Sequence, residues 1–457
     1  MDTTAQRLVD FSQSLKYTDL PDEAIYCAKA RILSTIAVCL AAYEFPPVQI
    51  SERVTPDVNQ GPIARILGSL KRTSPEMAAF VNSAMVRCLD MSDTAVMAAV
   101  SHPADAFPAI LAIAEAENLS GQDLLLAMVI IYEAQVRFVE VVPYNHHGWD
   151  QTPVVAMGAA LGAARLMGLT EEQMHHALSL AITPNLALNQ TRTGKLSMWK
   201  GMAGPQGTRQ GVFAAMLARE GMTGPEGVFE GKYGLWNQMM NGKTYNLPIP
   251  SDFKNHTFAV QQTMVKSFPI RFNCHLPVFC ALELLEKVKP EQIETLKIES
   301  IRQAFGRWMD LPEIWKPETR ETADHSLPCT VALALLDGGI TPTTHTKERY
   351  KDQDVLDFMK CIDIELPDEF ADLAPETRCC RMTATLKSGD SIIVEQRRTM
   401  ADDTNGPSQA EIEGKFNRLT EPLLTDQNRQ QLLDLVWSLD EAQTVENMVN
   451  LTELTGN

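Results

Sequence analysis

The chain has 457 residues, a length that suggests two or three domains and leaves ample sequence for a large hydrophobic core. Its 58 acidic residues against 40 lysines and arginines give a formal net charge of −18. Such a charge argues against nucleic acid and anionic membrane surfaces as general partners. No apolar run is long enough to cross a membrane and the N-terminus carries an early acid, so we expect neither a membrane span nor a secretory signal.

The nine cysteines show no metal-binding spacing. Cys379 and Cys380 are adjacent and Cys274 and Cys280 are six apart, which matches no zinc or iron–sulfur pattern. We therefore predict free thiols, no metal and a reducing compartment. That compartment is the cytoplasm, or the mitochondrial matrix if the source is eukaryotic.

The chain from Thr3 to about Leu247 is typical of successive helices. Ser74, Ser120 and Thr170 each precede an apolar-periodic segment and are predicted helix N-caps. Gly and Ala are concentrated in residues 152–168 and 204–218, where small side chains let neighbouring helices approach closely. An all-helical domain is the expectation for this part of the chain.

The pattern changes near Lys254. Residues 294–301 and 361–366 indicate strands, and residues 381–396 predict a β-hairpin that turns at Lys387-Ser388-Gly389-Asp390. Helical periodicity returns after Gly406.

We therefore predict a mainly α fold. A large all-helical domain is built from residues 1–262 and completed by residues 399–457, and a smaller α+β lid domain, residues 263–398, is inserted between them.

The segment from Leu89 to Leu111 carries acids and an imidazole around a small-residue run. Asp90 and Asp93 open it beside Thr94, and His102 follows. Taken locally, Asp90, Ser92 and Asp105 are typical helix caps and His102 a loop histidine. Asp93 and Asp105 keep a capping explanation even where Asp90 and His102 are assigned other roles.

Two stretches without acids change that interpretation. No Asp or Glu stands between Glu172 and Glu220, where Arg192 and Lys200 lie, or between Asp252 and Glu283. The second stretch contains Lys266 and His275. Buried helices would explain the missing acids but not the retained cations, which need an anionic counterpart when desolvated. The pattern predicts a pocket for a small anion.

The residue types narrow the chemistry. His102 is the natural proton shuttle near neutral pH, and lysines can stabilise the enolate-like species formed when a proton leaves a carbon alpha to a carboxylate. Such a proton abstraction can lead to dehydration, decarboxylation or epimerisation, and the residues do not choose among the three.

Six segments together resemble the MmgE/PrpD family, which includes 2-methylcitrate dehydratase, cis-aconitate decarboxylase and iminodisuccinate epimerase. The matching segments, in family order, are Asp90–Pro103, Gly148–Asp150, Lys200–Phe213, Gly221–Pro225, Lys266–Pro269 and Ala323–Pro328. The resemblance implies a helical domain with a smaller α+β lid, a homodimer and no cofactor.

The resemblance also implies residue roles. His102 is expected to act as general base or acid, and Asp90 to orient it or the substrate. Lys200 and Lys266 are expected to bind carboxylates, and Thr94 to donate to one.

The same resemblance implies that His275 and His325 line or close the family's active-site cleft. Arg192, from the first acid-free stretch, is a further expected substrate-binding residue.

The sequence departs from the family at Asp150-Gln151, where relatives often carry a histidine. We expect both residues to contact the substrate, and the role of that histidine is either taken over by Asp150 or lost. Gln206 and Ala95 also depart from family patterns, which favours a wider pocket or a different substrate.

We therefore predict a cofactor-independent lyase that acts on a small di- or tricarboxylate. Dehydration of a 2-methylcitrate-like hydroxy acid is the leading reaction. The alternatives are decarboxylation of cis- or trans-aconitate and epimerisation of an amino-dicarboxylate such as iminodisuccinate. A non-enzymatic helical protein that binds an anion is the alternative from another class.

Overall fold

The computed structural model of the chain describes residues 2–305, 311–373, 377–399, 402 and 406–455. It is mainly α-helical, as predicted. The α-helices of eight or more residues are Thr3–Ser14, Asp22–Ala42, Pro46–Arg53, Pro75–Cys88, Phe107–Ala116, Gly121–Val141, Thr152–Leu166, Glu171–Ile182, Ala203–Arg219, His275–Leu285, Leu327–Asp337, Gln409–Thr420 and Asp426–Trp437. Shorter α-helices are Leu235–Met239, Arg302–Phe305, Pro312–Trp315, Arg320–Ala323, Pro342–Thr346, Gln353–Met359, Asp368–Ala371 and Glu446–Asn450.

Nine strands form three sheets among the described residues. They are β1 (Ala64–Arg65), β2 (Arg72–Thr73), β3 (Asp93–Val96), β4 (Val100–Ser101), β5 (Met264–Val265), β6 (Ile293–Ser300), β7 (Ile362–Glu365), β8 (Thr377–Leu386) and β9 (Ser391–Thr399). The strand orders are β1-β2, β4-β3-β5 and β7-β6-β8-β9, and only β6 and β7 pair in parallel. The predicted hairpin is confirmed as β8 and β9, in which Thr385 pairs with Ser391.

The expectation of helices alone before residue 247 was incomplete, because β1 to β4 lie there. These strands have two to four residues, too few to show the alternating pattern by which a strand is recognised. The central strand β3 pairs through Asp93 with Val265 of β5. This pairing joins the segment of the sequence that carries His102 to the segment that carries Lys266.

Two hydrophobic cores account for most of the buried apolar side chains. The larger core takes residues between 5 and 260 together with residues between 412 and 454. The second core takes residues between 270 and 394 and includes β6, β8 and the helices His275–Leu285 and Leu327–Asp337. The division into residues 1–262, 263–398 and 399–457 stays a prediction about folding units, and residues 400, 401 and 403–405 at its last boundary lie outside the described ones.

One described helix, Asp22–Ala42, is long and apolar enough to cross a membrane by length and composition alone. In its most apolar window 83% of the residues are buried inside the structure, so its apolar side chains form part of the larger core.

Side-chain caps begin several of the helices. Ser120 and Thr170 form reciprocal capping boxes with Asp123 and Gln173, as their positions predicted. Ser74 occupies the N-cap position, but its hydroxyl group donates to Glu76 rather than accepting from the helix backbone.

Glycines set the distance between two central helices. A Cβ atom on Gly211 of Ala203–Arg219 would lie 2.5 Å from the Cβ of Ala159 and 2.7 Å from the carbonyl oxygen of Ala156. Both neighbours belong to Thr152–Leu166, and the second is backbone that cannot turn away. The small residues of this pair therefore allow the close packing expected from the sequence.

We expect Gly211→Ala to lower the free energy of unfolding by about 1–3 kcal/mol, because the added methyl group overpacks this contact. The control is Gly414→Ala in Gln409–Thr420, where no atom lies within 4 Å of the new Cβ. There the better helix propensity of alanine should stabilise the protein by about 0.5–1 kcal/mol. Urea unfolding followed by circular dichroism measures both, and equal effects would contradict the packing argument.

Candidate active site

The buried carboxylate of Asp90 lies at the centre of a cluster of cations. Its Oδ1 accepts from Arg87 at 2.5 Å and from the Nζ of Lys266 at 2.6 Å, and its Oδ2 accepts from the Nζ of Lys200 at 2.9 Å. Burial alone would raise the pKa of Asp90, but these three cations outweigh it and hold the pKa well below its ordinary value. The structure thus brings together Asp90, Lys200 and Lys266, which the sequence placed in three separate segments.

The backbone of Asp90 adopts the left-handed conformation, with φ of 50°. An aspartate tolerates this region better than most residues other than glycine. The conformation lets the carboxylate and the main-chain carbonyl of the same residue both accept from Lys266, at 2.6 and 2.8 Å. Lys266 donates a third hydrogen bond to the Ile270 carbonyl at 3.2 Å, so all three of its N–H groups are occupied.

The ammonium group of Lys200 has N–H groups that make no hydrogen bond to the described residues. Its ammonium group lies 2.9 Å from Asp90 and 3.8 Å from Asp324, and only the first is a hydrogen bond. An ammonium group has three N–H donors, so Lys200 can donate to a ligand without leaving Asp90. Of the two predicted carboxylate binders, Lys200 is the one whose hydrogen-bonding capacity is free for that role.

His325 is oriented by the carboxylate next to it in the sequence. Its Nδ1 hydrogen-bonds to Asp324, and its Nε2 lies 3.6 Å from Oδ2 of Asp90. A carboxylate of low pKa can only accept, so Nδ1 carries the proton and Nε2 does not. Burial and the charge of Lys200 lower the pKa of His325 to about 4, which leaves its imidazole neutral near pH 7.

His102 has the same arrangement with a different partner. It lies between β4 and the 3₁₀ turn Pro103–Ala106, and its Nδ1 lies 3.0 Å from the carbonyl oxygen of Asp93. Because a carbonyl only accepts, Nδ1 donates and Nε2 holds the free lone pair. Burial, Arg87 and Lys266 hold the pKa of His102 well below its ordinary value, so it is an unprotonated base near neutral pH.

The orientation of His102 therefore comes from Asp93, and the carboxylate of Asp90 instead faces His325. Asp93 also caps the next turn, since its Oδ1 accepts from the Ala104 amide at 3.2 Å. Asp93 itself lies in strand β3, so the capping role expected for it takes the form of this contact with a later turn.

Two other predicted residues lie near the cluster. The hydroxyl group of Thr94 is buried and donates to the Ser101 carbonyl at 3.3 Å, across the β3–β4 pair. The Nε2 of His275 is buried and has no hydrogen-bond partner in the part of the chain that the structure describes. Burial and Lys266 hold the pKa of His275 well below its ordinary value. His275 is therefore a neutral imidazole with an unused nitrogen, and substrate contacts by both residues stay predictions.

Asp150 and Gln151 are buried but already paired. Oδ2 of Asp150 accepts from Nε of Arg192 at 2.6 Å, and Oδ1 lies 3.3 Å from the second guanidinium nitrogen. Gln151 donates to Asp105 at 3.0 Å. Neither side chain is a free proton donor in this arrangement, which favours loss of the family histidine's role at this position over its transfer to Asp150.

The interpretation of Asp105 as a helix cap was wrong. The helix Phe107–Ala116 has no side-chain cap, and the Asp105 carboxyl group lies 3.6 Å from Nε of Arg87 and accepts from Gln151. Burial raises the pKa of Asp105 to about 7 against the opposing charge of Arg87.

Arg87 was not among the predicted site residues, although it contacts Asp90 directly. It lies in the last turn of the helix Pro75–Cys88, whose other residues are mostly apolar or small. The available signal was its spacing of three residues from Asp90, which is typical of an ion pair on one helical face.

Asp90, Asp324 and His325 place ligand atoms within 4.8 Å of one another, a spacing that could hold a metal ion. The carboxylates of Asp90 and Asp324 already contact Lys200, and that of Asp90 also contacts Lys266. A divalent cation would have to displace these ammonium groups, so the donor set fits the lysines better than a metal.

Two contacts hold the segments around Lys200 and His325 together. Thr319 donates to the Leu196 carbonyl at 3.1 Å, and Lys195 pairs with Glu318 at 2.6 Å. The cluster is accordingly closed, with Asp90, Lys200 and Lys266 each 2% exposed.

Two family models match the chain. The MmgE/PrpD N-terminal domain matches residues 6–248 and the MmgE/PrpD C-terminal domain matches residues 268–439. The 2-methylcitrate dehydratase of Salmonella typhi is 27% identical over 76% of this chain and 74% of its own length.

Two further relatives align over more of the chain. The cis-aconitate decarboxylase-like protein oryM of Aspergillus oryzae is 24% identical over 97% of this chain and 96% of its own. The human cis-aconitate decarboxylase is 25% identical over 96% and 92%. Since the two models together match most of the sequence, and these relatives are dehydratases and decarboxylases, the chain belongs to the MmgE/PrpD family and is an enzyme of the lyase class.

Proposed function

We propose that this protein removes water from a 2-methylcitrate-like hydroxy tricarboxylate without a cofactor. The observation that carries the proposal is the Asp90 cluster, in which buried ammonium groups lie beside two neutral histidines. The named dehydratases among its relatives support the same reaction class. The alternative of a non-enzymatic anion-binding protein is set aside, because the chain is a lyase.

His102 is the proposed general base. Its free Nε2 takes the proton from the carbon alpha to a substrate carboxylate, and the bonding electrons become the new double bond as hydroxide leaves the neighbouring carbon. Lys200 donates to that carboxylate and stabilises the negative charge that develops there. Asp90 stays ionised and keeps Lys200, Lys266 and Arg87 charged around it.

The departing hydroxide also needs a proton. His102 and His325 are both unprotonated at neutral pH, so an ammonium group is the source. Among the described residues, Lys200 makes one hydrogen bond and so keeps N–H groups that have no acceptor. All three N–H groups of Lys266 already have acceptors. We assign the acid role to Lys200, which becomes a neutral amine when the water leaves. His102 then loses its proton to solvent and Lys200 takes one up from solvent, which restores both groups for the next cycle.

Decarboxylation of an aconitate is the second candidate, and two relatives that align over 97% and 96% of the chain favour it. The same ammonium group would then stabilise the carbanion left by CO₂. Epimerisation of an amino-dicarboxylate stays a third outcome. The homodimer and the cytoplasmic location stay predictions from the sequence.

A panel of citrate, 2-methylcitrate, cis- and trans-aconitate and iminodisuccinate, incubated in deuterated buffer with a chelator, should distinguish these reactions. We expect loss of water from 2-methylcitrate, detected by NMR of the products, at a rate that the chelator does not change. Release of CO₂ from an aconitate, or inversion of the amino-dicarboxylate, would replace dehydration with the corresponding alternative. Activity that the chelator abolishes and a metal restores would contradict the cofactor-free mechanism.

We expect His102→Asn to reduce kcat about 10²- to 10⁴-fold, the usual contribution of a positioned general base. Asparagine can still donate to the Asp93 carbonyl, so the loop should keep its conformation. The control is His146→Asn, a change at an exposed histidine. Steady-state kinetics measures both, and near wild-type turnover by the His102 variant would remove this residue from the mechanism.

We expect Lys200→Met to lower kcat/KM by about 10²- to 10³-fold, as for loss of one charge-stabilising donor. The binding of citrate, measured by calorimetry, should weaken as well. The exposed Lys254 of the second acid-free stretch provides the control, Lys254→Met. If citrate affinity and turnover are equal in the two variants, Lys200 is not the anion-binding group.

A further inference from the structure

Lys415, a residue of the C-terminal helix Gln409–Thr420, is a buried lysine with no carboxylate hydrogen-bonded to it. Its ammonium group donates to the hydroxyl of Ser34 at 2.9 Å and to the carbonyl oxygens of Met91 and Lys266, both at 2.8 Å. All three of its N–H groups are therefore used, and none of the acceptors is charged.

The acceptors lie in segments far apart in sequence. Ser34 belongs to the helix Asp22–Ala42, Met91 follows Asp90 directly, and Lys266 follows β5. The Lys415 ammonium group is thus the point at which the C-terminal helix meets two of the three backbone segments that form the Asp90 cluster.

Burying an uncompensated cation is costly. Burial lowers the pKa of Lys415 to about 7, and the nearby charges of Arg418 and Lys266 act in the same direction, opposed by Asp93. A packing role alone would be filled as well by Met or Leu, which would avoid this cost. The hydrogen bonds to Met91 and Lys266 are the interactions that a methionine or leucine could not make, and we infer that they are the reason for the lysine.

We propose that Lys415 is a positioning residue of the active site. It holds the peptide after Asp90 and the peptide of Lys266 at a fixed separation, and so sets the contact between the Asp90 carboxylate and the Lys266 ammonium group. The role of Lys415 in turnover rests on the proposed function, but the geometric role does not.

The test compares Lys415→Met with Lys29→Met. Lys29 is also a buried lysine that joins the helix Asp22–Ala42 to the C-terminal part, through the Trp437 carbonyl at 2.7 Å and Asp440. Its partners are not in the cluster. Both variants should lose thermal stability, which controls for loss of a buried ammonium group.

We expect Lys415→Met to reduce kcat about 10- to 100-fold, the effect of a small misplacement of catalytic groups. KM should stay within about threefold, because Lys200 still binds the carboxylate. Lys415→Gln keeps two N–H donors and should recover part of kcat, and Lys29→Met should leave kcat within about twofold of wild type. If Lys415→Met and Lys29→Met have the same kcat, the proposal is wrong.

A crystal structure of Lys415→Met gives a readout that does not depend on turnover. We expect the distance between Nζ of Lys266 and Oδ1 of Asp90, 2.6 Å in the native chain, to lengthen beyond hydrogen-bond range. An unchanged distance would overturn the positioning role even if activity fell. If the native enzyme converts no member of the panel, the proposed function fails while this distance still decides the role of Lys415.

Discussion

The Asp90 carboxylate is the interaction on which the rest of the site depends. Three cations from three segments of the chain share its two oxygens, and each of them is almost completely buried. Removing that one negative charge would leave the cations of Arg87, Lys200 and Lys266 buried close together without the carboxylate that they share. Such an arrangement is strongly destabilising. The left-handed backbone of Asp90 belongs to the same constraint, because it directs the carbonyl and carboxylate to one ammonium group.

The sequence predicted the cations of the site better than their partners. Lys200 and Lys266 were recognisable because their own segments contain no acids. The carboxylate that neutralises them belongs to Asp90, which lies more than a hundred positions from Lys200 in the sequence. No local sequence pattern indicates such a pairing. Arg87 and Lys415 were missed for a related reason. Arg87 lies near the end of an apolar helix. Lys415 lies in a helix whose many charged residues are typical of a solvated surface.

The elements of the fold also differ in how well the sequence predicts them. Long helices and the β8–β9 hairpin have periodic patterns and turn residues that can be read from the sequence, and the mainly α class followed from them. The strands that build the site cannot be read in this way, since β3, β4 and β5 have only two to four residues. Their pairing is determined by tertiary packing around them. Asp105 was misinterpreted because a position before a helix favours a cap, whereas its actual partners, Arg87 and Gln151, come from elsewhere in the chain.

The cations proposed to bind an anionic substrate also weaken the proposed base. Arg87 and Lys266 lower the pKa of His102, which makes the imidazole a poorer proton acceptor. In the proposed mechanism, the ammonium group of Lys200 stabilises the enolate-like product of the transfer through a direct hydrogen bond. Coulomb energy falls with distance, so the proposed contact of hydrogen-bond length with the new anion would act against the weakening of the base. The same cations keep the histidine unprotonated at neutral pH, the state in which it can accept a proton.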